Sequence, residues 1–223
     1  MAVRLWDWLR QTWPGTPAAE KAVLLILADI SGYTDYMLAS QKALVHGQHH
    51  INTLMKAIIR QVRIPLKVAK LEGDAVFLYA TISPEHSHER QPQKTLGDKL
   101  LQFFDTFSTQ LQALEQDATC TCEACSNIGQ LRLKIIVHAG SAIFYRIGEF
   151  NELGGIDVII AHRLLKNTVN LDEYLLMTEA AYSLIRNSGT LHTVRHEESY
   201  KSLGTILTYI YPVQRAAKGI ETS

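Results

Sequence analysis

The chain has no excess of charge of either sign. It contains 22 lysine and arginine residues against 22 aspartate and glutamate residues, so its formal net charge at neutral pH is zero. Because a balanced chain creates no long-range field, we expect any anion binding to be local, and no nucleic-acid partner. No apolar run reaches the ~20 residues that cross a bilayer, and the N-terminus lacks the basic and then apolar order of a signal peptide. We therefore expect a cytoplasmic protein without a membrane span.

Cysteine is also scarce, and the three that occur, Cys120, Cys122 and Cys125, are close together. An odd number in so short a stretch forms no disulfide framework and suits a reducing compartment. The spacing C-x-C-x-x-C gathers three soft thiolate ligands, which predicts a structural Zn2+ site; a redox or free-thiol cluster, or no role, are the alternatives. The fourth ligand would be one of His46, His49, His50, His86, His88 and Glu123.

A length of 223 residues, 47% of them hydrophobic, is enough for one well-buried domain. Residues 1–17 predict an amphipathic arm rich in tryptophan, which packs on the domain or on a partner subunit. Attachment of this arm to a membrane surface would need more basic charge. We expect the domain to span residues 18–216, with a cysteine-rich insertion at about 117–129, and residues 217–223 to form a flexible tail.

Apolar spacing predicts alternating helices and strands along the domain. Residues 34–60 have a helical pattern with Gly47 as a break, and residues 96–114 predict a long helix after a polar loop at 83–94. Residues 131–139 and 142–147 predict two consecutive strands. This order favours an α+β sheet with helices on one face.

Two aspartates stand at the ends of apolar runs. Asp29 follows the run V-L-L-I-L-A of residues 23–28, which predicts a strand covered on both faces. Asp74 lies where a glycine and an aspartate divide a second run, residues 66–80, which predicts a hairpin tip. Hard cations take a few carboxylate oxygens and keep positions for water and phosphate, so the two side chains brought together would make a magnesium site. Taken singly, each is also an ordinary strand-end or turn residue.

Four segments together resemble the class III nucleotidyl cyclases, the catalytic domain of adenylate and guanylate cyclases. They are residues 28–34 (A-D-I-S-G-Y-T), 70–74 (K-L-E-G-D), 131–140 (L-R-L-K-I-I-V-H-A-G) and 154–164 (G-G-I-D-V-I-I-A-H-R-L). The resemblance covers roughly residues 22–213 and points to an uncharacterised bacterial branch of cyclase-related proteins. It implies a ferredoxin-like (βαββαβ-type) cyclase fold with an antiparallel-rich sheet, and a homodimer whose sites form between subunits.

The resemblance also implies roles for single residues around a nucleoside triphosphate. Asp29 and Asp74 would hold two Mg2+ or Mn2+ ions. Arg163, from the other protomer, would steady charge on the α-phosphate, and His162 beside it could donate to phosphate when protonated. The implied phosphate-binding residues are Ser31, Gly32, Tyr33, Thr34 and Lys201, and the implied base-recognition positions are Glu152 and Val68.

Two positions depart from the cyclase pattern. Ile159 stands where the family has a transition-state asparagine, and Val68 stands where it has a base-reading lysine; neither side chain can donate a hydrogen bond. Losing one transition-state donor can lower a rate by ~10²–10³. Two functions therefore remain open: a divergent cyclase that forms a cyclic nucleotide and pyrophosphate, or a catalytically inactive cyclase-homology module that binds a nucleotide or zinc as a dimeric regulatory or interaction protein.

Overall fold

A computed structural model describes residues 19–63, 65–82, 90–117, 120–185 and 191–213, with the side chains of 90–95 excepted. The predicted arm at 1–17 and the tail at 217–223 lie outside these residues. The strands are β1 (Ala19–Ser31), β2 (Lys67–Glu72), β3 (Ala75–Thr81), β4 (Arg132–Ile147), β5 (Phe150–Gly154), β6 (Tyr174–Thr178), β7 (Val194–Tyr200) and β8 (Gly204–Pro212). The helices are α1 (Tyr33–Ala39), α2 (Leu44–Arg60), α3 (Arg90–Gln116), α4 (Glu123–Asn127), α5 (Ile156–Arg163) and α6 (Glu179–Ile185).

The strands form one sheet of eight, in the order β2-β3-β1-β4-β6-β8-β7, with β5 paired to β4 outside this path. The pairing is antiparallel except between β4 and β6. β1 is central, and its apolar residues 23–28 are fully buried, as expected for a strand covered on both faces. Among the described residues, no helix combines the length and hydrophobicity that a bilayer crossing requires.

Strand β4 joins the two halves of the sheet. One edge of β4 pairs with β1 from Ser31↔Arg132 to Ala19↔Phe144 without interruption. Its other edge pairs first with β6 and then with β5. The prediction of two separate strands here is therefore wrong, because the continuous partner β1 keeps Gly140 and Ser141 in the ladder.

The helices lie on both faces of the sheet. Helices α1, α2, α3, α4 and α6 contribute buried side chains to the core on one face. On the opposite face, Ala161 of α5 and Leu164 after it pack with the odd-numbered residues of β1, such as Leu25 and Leu27. The predicted α+β sheet is present. The sequence analysis expected helices on one face only, whereas α5 covers the opposite face.

Two local predictions are wrong. The break expected at Gly47 lies earlier, in a 3-10 turn at Gln41–Ala43. Gly47 is buried inside α2, where an added Cβ would lie 3.4 Å from Cβ of Ser40, so it serves close packing instead of a turn. The loop expected at 83–94 is helical from Arg90, since Pro92 falls in the first helical turn, where the missing N–H has no partner to lose.

Candidate functional site

The structure brings Asp29 and Asp74 together at one end of the sheet. Asp29 lies near the end of β1, and the backbone N–H of the next residue, Ile30, donates to the carbonyl oxygen of Asp74 at 3.2 Å. Asp74 occupies the β2–β3 hairpin tip, as predicted, after Gly73 with its positive φ of 67°. Burial, with the negative charge of Asp29, raises the pKa of Asp74. The two carboxylates therefore interact electrostatically, as ligands of a shared cation would.

A lysine that the sequence analysis missed lies beside them. Nζ of Lys134 is 2.9 Å from Oδ2 of Asp29, and both side chains are less than a quarter exposed. The two residues are cross-strand partners of β4 and β1. Lys134 also donates to the carbonyl oxygen of Leu165 at 3.4 Å, which connects the pair to the turn after α5. The available signal was a lysine between two buried apolar residues, Leu133 and Ile135, since a partly buried lysine needs an acidic partner.

The predicted phosphate-binding segment, residues 31–34, connects β1 to α1. Ser31 ends the strand, and Gly32, with φ of 83°, precedes the first helical residue. This left-handed conformation favours glycine, and an added Cβ would lie 3.6 Å from the carbonyl oxygen of Gln130. The first backbone N–H groups of a helix have no intrahelical acceptor, and no side chain caps those of α1. Tyr33 and Thr34 lie in that first turn.

The two predicted base-recognition positions line one cleft of about 520 Å³. Val68 of β2 is 40% exposed there. Glu152 of β5 accepts a hydrogen bond from Nζ of Lys70 at 2.7 Å. This hydrogen bond raises the pKa of Lys70. The register of β2 shifts between Val68 and Lys70, and this irregularity lies beside the ion pair.

The predicted catalytic residues of α5 do not contact the aspartates. Nε2 of His162 is 2.9 Å from a carboxylate oxygen of Glu72, at the end of β2, a hydrogen-bond contact that the sequence analysis missed. Arg163 is exposed. Burial raises the pKa of Tyr200 to about 12, and the positive charge of Arg163 opposes this rise. Within the described residues, no hydrogen bond or ion pair joins Arg163 to Asp29 or Asp74. Lys201 is exposed in the turn between β7 and β8.

The three cysteines form a cluster with one of the predicted histidines. The Sγ atom of Cys120 lies 3.2 Å from those of Cys122 and Cys125. Nδ1 of His46, in α2, is 3.5, 3.3 and 3.7 Å from the sulfurs of Cys120, Cys122 and Cys125. All four ligand atoms lie within 4.8 Å of one another, so the cluster could hold a metal such as zinc.

Five other residues were alternatives for the fourth ligand. In the described part of the chain, His49, His50 and Glu123 do not join the cluster. His86 and His88 lie outside the described residues. His50 instead hydrogen-bonds through Nδ1 to the hydroxyl of Tyr36 at 2.7 Å. Burial lowers the pKa of His50 to about 4.

Residues 51–174 match the family described as "Protein of unknown function (DUF2652)". This match spans more than half of the chain. The chain belongs to the DUF2652 family. A curated relative, the uncharacterized protein Rv2561/Rv2562 of Mycobacterium tuberculosis, is 31% identical over 144 residues, which cover 65% of this DUF2652 chain and 59% of the relative. The chain thus spans less than two thirds of the length of that relative.

Solved nucleotide cyclases share the fold of this DUF2652 protein. The adenylyl cyclase CyaB from P. aeruginosa superimposes with a TM-score of 0.60 at 14% identity, over 90% of this chain and 98% of that one. The guanylyl cyclase Cya2 gives 0.59 at 11% identity, over 91% and 98%. The guanylate cyclase domain of RhGC from Catenaria anguillulae, solved in complex with GTP, gives 0.52 at 18% identity, over 89% and 100%. The predicted class III cyclase fold is confirmed.

A second buried polar network fixes α5 of the DUF2652 protein to the sheet. His138 of β4 contacts Thr178 Oγ1 at 3.0 Å through Nδ1 and Asp157 Oδ1 at 2.9 Å through Nε2. The other carboxylate oxygen of Asp157 accepts the backbone N–H of Ser141 at 2.6 Å. Burial alone would raise the pKa of Asp157, but these donors hold it below its usual range. An added Cβ at Gly140 would fall 2.2 Å from the Asp157 carboxyl carbon, so this network requires glycine there.

Proposed function

We propose that this protein binds a Mg2+ or Mn2+ complex of a nucleoside triphosphate at Asp29 and Asp74, in a site completed by a second copy of the chain. The observation that supports this most directly is the meeting of the two carboxylates beside Lys134 and the loop at 31–34. Asp29 and Asp74 come from separate strands, and both belong to segments that resemble the cyclase metal motifs.

The donor set fits hard divalent cations. Two carboxylates supply anionic oxygens, and a site that small leaves coordination positions for water and phosphate oxygens. A bound cation would neutralise charge on the triphosphate and lower the pKa of an attacking ribose hydroxyl. Lys134 would exchange its ion pair with Asp29 for a phosphate oxygen, and the backbone N–H groups of residues 31–34 would donate to the phosphates.

A homodimer would supply the group that one chain lacks near the aspartates. Arg163 is exposed on α5, and in the resembling family an arginine at this position acts on the partner's nucleotide. Apolar side chains on and near the same helix support an interface: Ile156 is 71% exposed, Ile159 53% and Phe150 72%. We propose that this surface meets a second copy and carries Arg163 to the partner's Asp29 and Asp74.

In a catalytically active protein, this site would convert the bound nucleoside triphosphate to a cyclic nucleotide and pyrophosphate. Positioning and charge neutralisation would carry most of the catalysis, because the attacking hydroxyl and the α-phosphate belong to one substrate molecule. Glu152, once released from Lys70, could accept from an exocyclic amine of the base. His162 contacts Glu72 and would first have to leave that contact to donate to phosphate. The cytoplasmic location stays a prediction.

The binding test uses the whole chain with Mn2+ and, separately, ATP and GTP, measured by calorimetry. Asp29→Asn and Asp74→Asn should each weaken Mn-dependent binding by at least about tenfold, which is ~1.4 kcal/mol. Asp35→Asn is the matched control, since Asp35 is exposed on α1 and close in sequence. Equal binding by all three variants would contradict the proposed metal ligands.

The dimer is tested by mixing two inactive variants. Asp29→Ala and Arg163→Ala each damage a different half of the shared site, so a mixed dimer should regain one intact site and part of the turnover measured by mass detection of cyclic nucleotide. Mixed samples that stay as inactive as either parent, while the unmodified protein turns over, would contradict a shared site.

The second candidate is a non-catalytic dimeric module that binds the nucleotide or zinc in a regulatory or interaction role. The exposed apolar side chains of Val68 and Ile159 favour it, because they stand where cyclases place hydrogen-bond donors. Mn-dependent nucleotide binding without any cyclic product would support this candidate, whereas absence of both binding and product would contradict both.

A further inference from the structure

The cysteine cluster lies outside the nucleotide site and has its own geometry. Its members come from two distant parts of the sequence: His46 from α2, and the three cysteines from the connection between α3 and β4. The interaction between the imidazole of His46 and the thiol of Cys120 spans 74 positions of the chain. Four soft or borderline ligands from unrelated elements meeting at one point are typical of a metal centre.

We propose that His46, Cys120, Cys122 and Cys125 bind one structural Zn2+ ion that fastens α4 onto α1 and α2. Zinc binding at this cluster does not depend on the proposed nucleotide function.

The distances from His46 to the sulfurs are close to those around a tetrahedral ion. Zn–S bonds of ~2.3 Å and Zn–N bonds of ~2.0–2.1 Å place neighbouring ligand atoms roughly 3.5–3.8 Å apart. The three distances from Nδ1 of His46 to the sulfurs are 3.3 to 3.7 Å. The sulfur–sulfur distances of 3.2 Å are somewhat shorter than that range, but far longer than the ~2.05 Å of a disulfide bond. The cluster is thus arranged around a point and is not a bonded pair with a spare thiol.

Local structure prepares the cysteines for this role. Cys122 precedes the first residue of α4 in an extended conformation, and Cys125 lies one helical turn later. The backbone N–H of Cys125 turns back toward the sulfur of Cys122. Such an N–H···S bond is a supporting contact for a metal-bound thiolate, because it stabilises negative charge on the ligand.

The ligand set is complete without water. A structural zinc site uses four protein ligands, whereas a catalytic site leaves one position for water or substrate. Three thiolates and one imidazole fill the tetrahedron, and no fifth candidate ligand joins the cluster among the described residues. The ion would therefore hold structure together and would not activate a water molecule.

What the ion would hold is a short helix with little stability of its own. Helix α4 has five residues, far fewer than the ~12–15 that a marginally stable isolated helix needs. It packs against α1 and α2, with Ala124 buried. The turn that follows it ends at Gln130, whose carbonyl oxygen faces Gly32. Loss of the ion should therefore loosen both α4 and the loop at 31–34.

The first test counts the metal bound to the whole chain, purified and reloaded under reducing conditions. Elemental analysis should find one zinc per chain. Replacement by Co2+ should give the visible absorption of a tetrahedral site with thiolate ligands. Substoichiometric zinc after reloading would overturn the proposal.

Variants identify the ligands. Cys122→Ser and His46→Gln should each weaken zinc binding by at least about a hundredfold, a loss larger than the 10–100-fold typical of supporting residues. His49→Gln is the matched control, because it is an exposed histidine on the same helix and does not join the cluster. Zinc retained equally by His46→Gln and His49→Gln would overturn the role of His46. If a variant fails to fold, titration of the unmodified protein with a thiol reagent, with released zinc read by a dye, tests whether the cysteines hold the ion.

Hydrogen exchange tests what the ion fastens. Removal of zinc from the unmodified protein should speed amide exchange in residues 120–130 and in 31–37 by at least about tenfold, while the central residues of β1 stay protected. Unchanged exchange in both segments would show that the ion fastens neither.

Discussion

Nζ of Lys134 and Oδ2 of Asp29 lie 2.9 Å apart across adjacent strands, so a cation that binds Asp29 must compete with an internal ammonium group. We predict that Lys134→Met raises the Mn2+ affinity of the nucleotide-free protein about tenfold, since hydrogen bonds to charged groups are worth ~1.5–3 kcal/mol. The same change should weaken triphosphate binding. Calorimetry measures both, with Lys67→Met, an exposed lysine of β2, as control. Lower Mn2+ affinity in Lys134→Met would show that the lysine does not compete.

Ile159 offers a test of why turnover would be slow. It is 53% exposed, so asparagine is tolerated there without loss of core packing. If the missing donor limits the proposed cyclase reaction, Ile159→Asn should raise cyclic-nucleotide formation by ~10–10². Val194→Asn, on β7 and 62% exposed, is the control. An equal effect of both substitutions would point to a surface change and not to a restored transition-state contact.

Removal of zinc should lower thermal stability. An ion at a hundredfold excess over its Kd stabilises the folded state by ~2.7 kcal/mol, which corresponds to roughly 5–10 °C in Tm for a chain of this size. Chelation should lower the Tm of the unmodified protein by about this amount. It should not change the Tm of the His46→Gln variant. A further drop of similar size in His46→Gln would mean that the chelator acts elsewhere.

Gly140 should be intolerant of any side chain because the Asp157 carboxylate occupies the space beside its Cα. We predict that Gly140→Ala destabilises the protein by ~2–4 kcal/mol in urea unfolding. The cost should shrink by at least ~1 kcal/mol in an Asp157→Ala background, where the obstructing group is gone. If the losses of unfolding free energy from the two substitutions simply add in the double variant, the clash is with a residue other than Asp157.

Asp157 predicts a stability change in acid. The pKa of Asp157 is lower in the folded protein than its value of ~3.9 in the unfolded chain. The unfolded chain therefore binds the proton more readily, and the free energy of unfolding decreases as the pH is lowered through this range. The contribution is complete above about pH 5 and is lost as pH falls through the folded pKa. The difference in unfolding free energy between the unmodified protein and Asp157→Asn should therefore narrow as the pH falls below about 4. A gap independent of pH down to 3 would contradict the lowered pKa.

The sequence predicted the parts of the site that are local in the chain. Asp74 at a hairpin tip and Asp29 near the end of a buried strand follow from turn chemistry and apolar patterning, and both occur as expected. The resemblance to cyclases added the fold, which no pattern within a single segment could supply. Their proposed roles in binding stay predictions.

Contacts between distant segments could not be predicted in the same way. The partners of Asp29 and His162 are Lys134 and Glu72, which depend on strand order and on the face that α5 covers. His46 was one of six alternatives for the fourth zinc ligand, because spacing fixes the three cysteines but says nothing about which helix packs over them. A lysine between the buried apolar residues Leu133 and Ile135 was an unused clue.

Strand β4 limits how this protein can change over evolution. Its 16 residues carry Lys134 opposite Asp29 at one end and Gly140 beside Asp157 near the middle, while β1 fixes the register of the whole length. Because side chains alternate between faces, inserting or deleting one residue between these points would turn one of them to the wrong side of the sheet. Changes of chain length should therefore accumulate in segments outside this ladder, and β4 should vary by substitution alone.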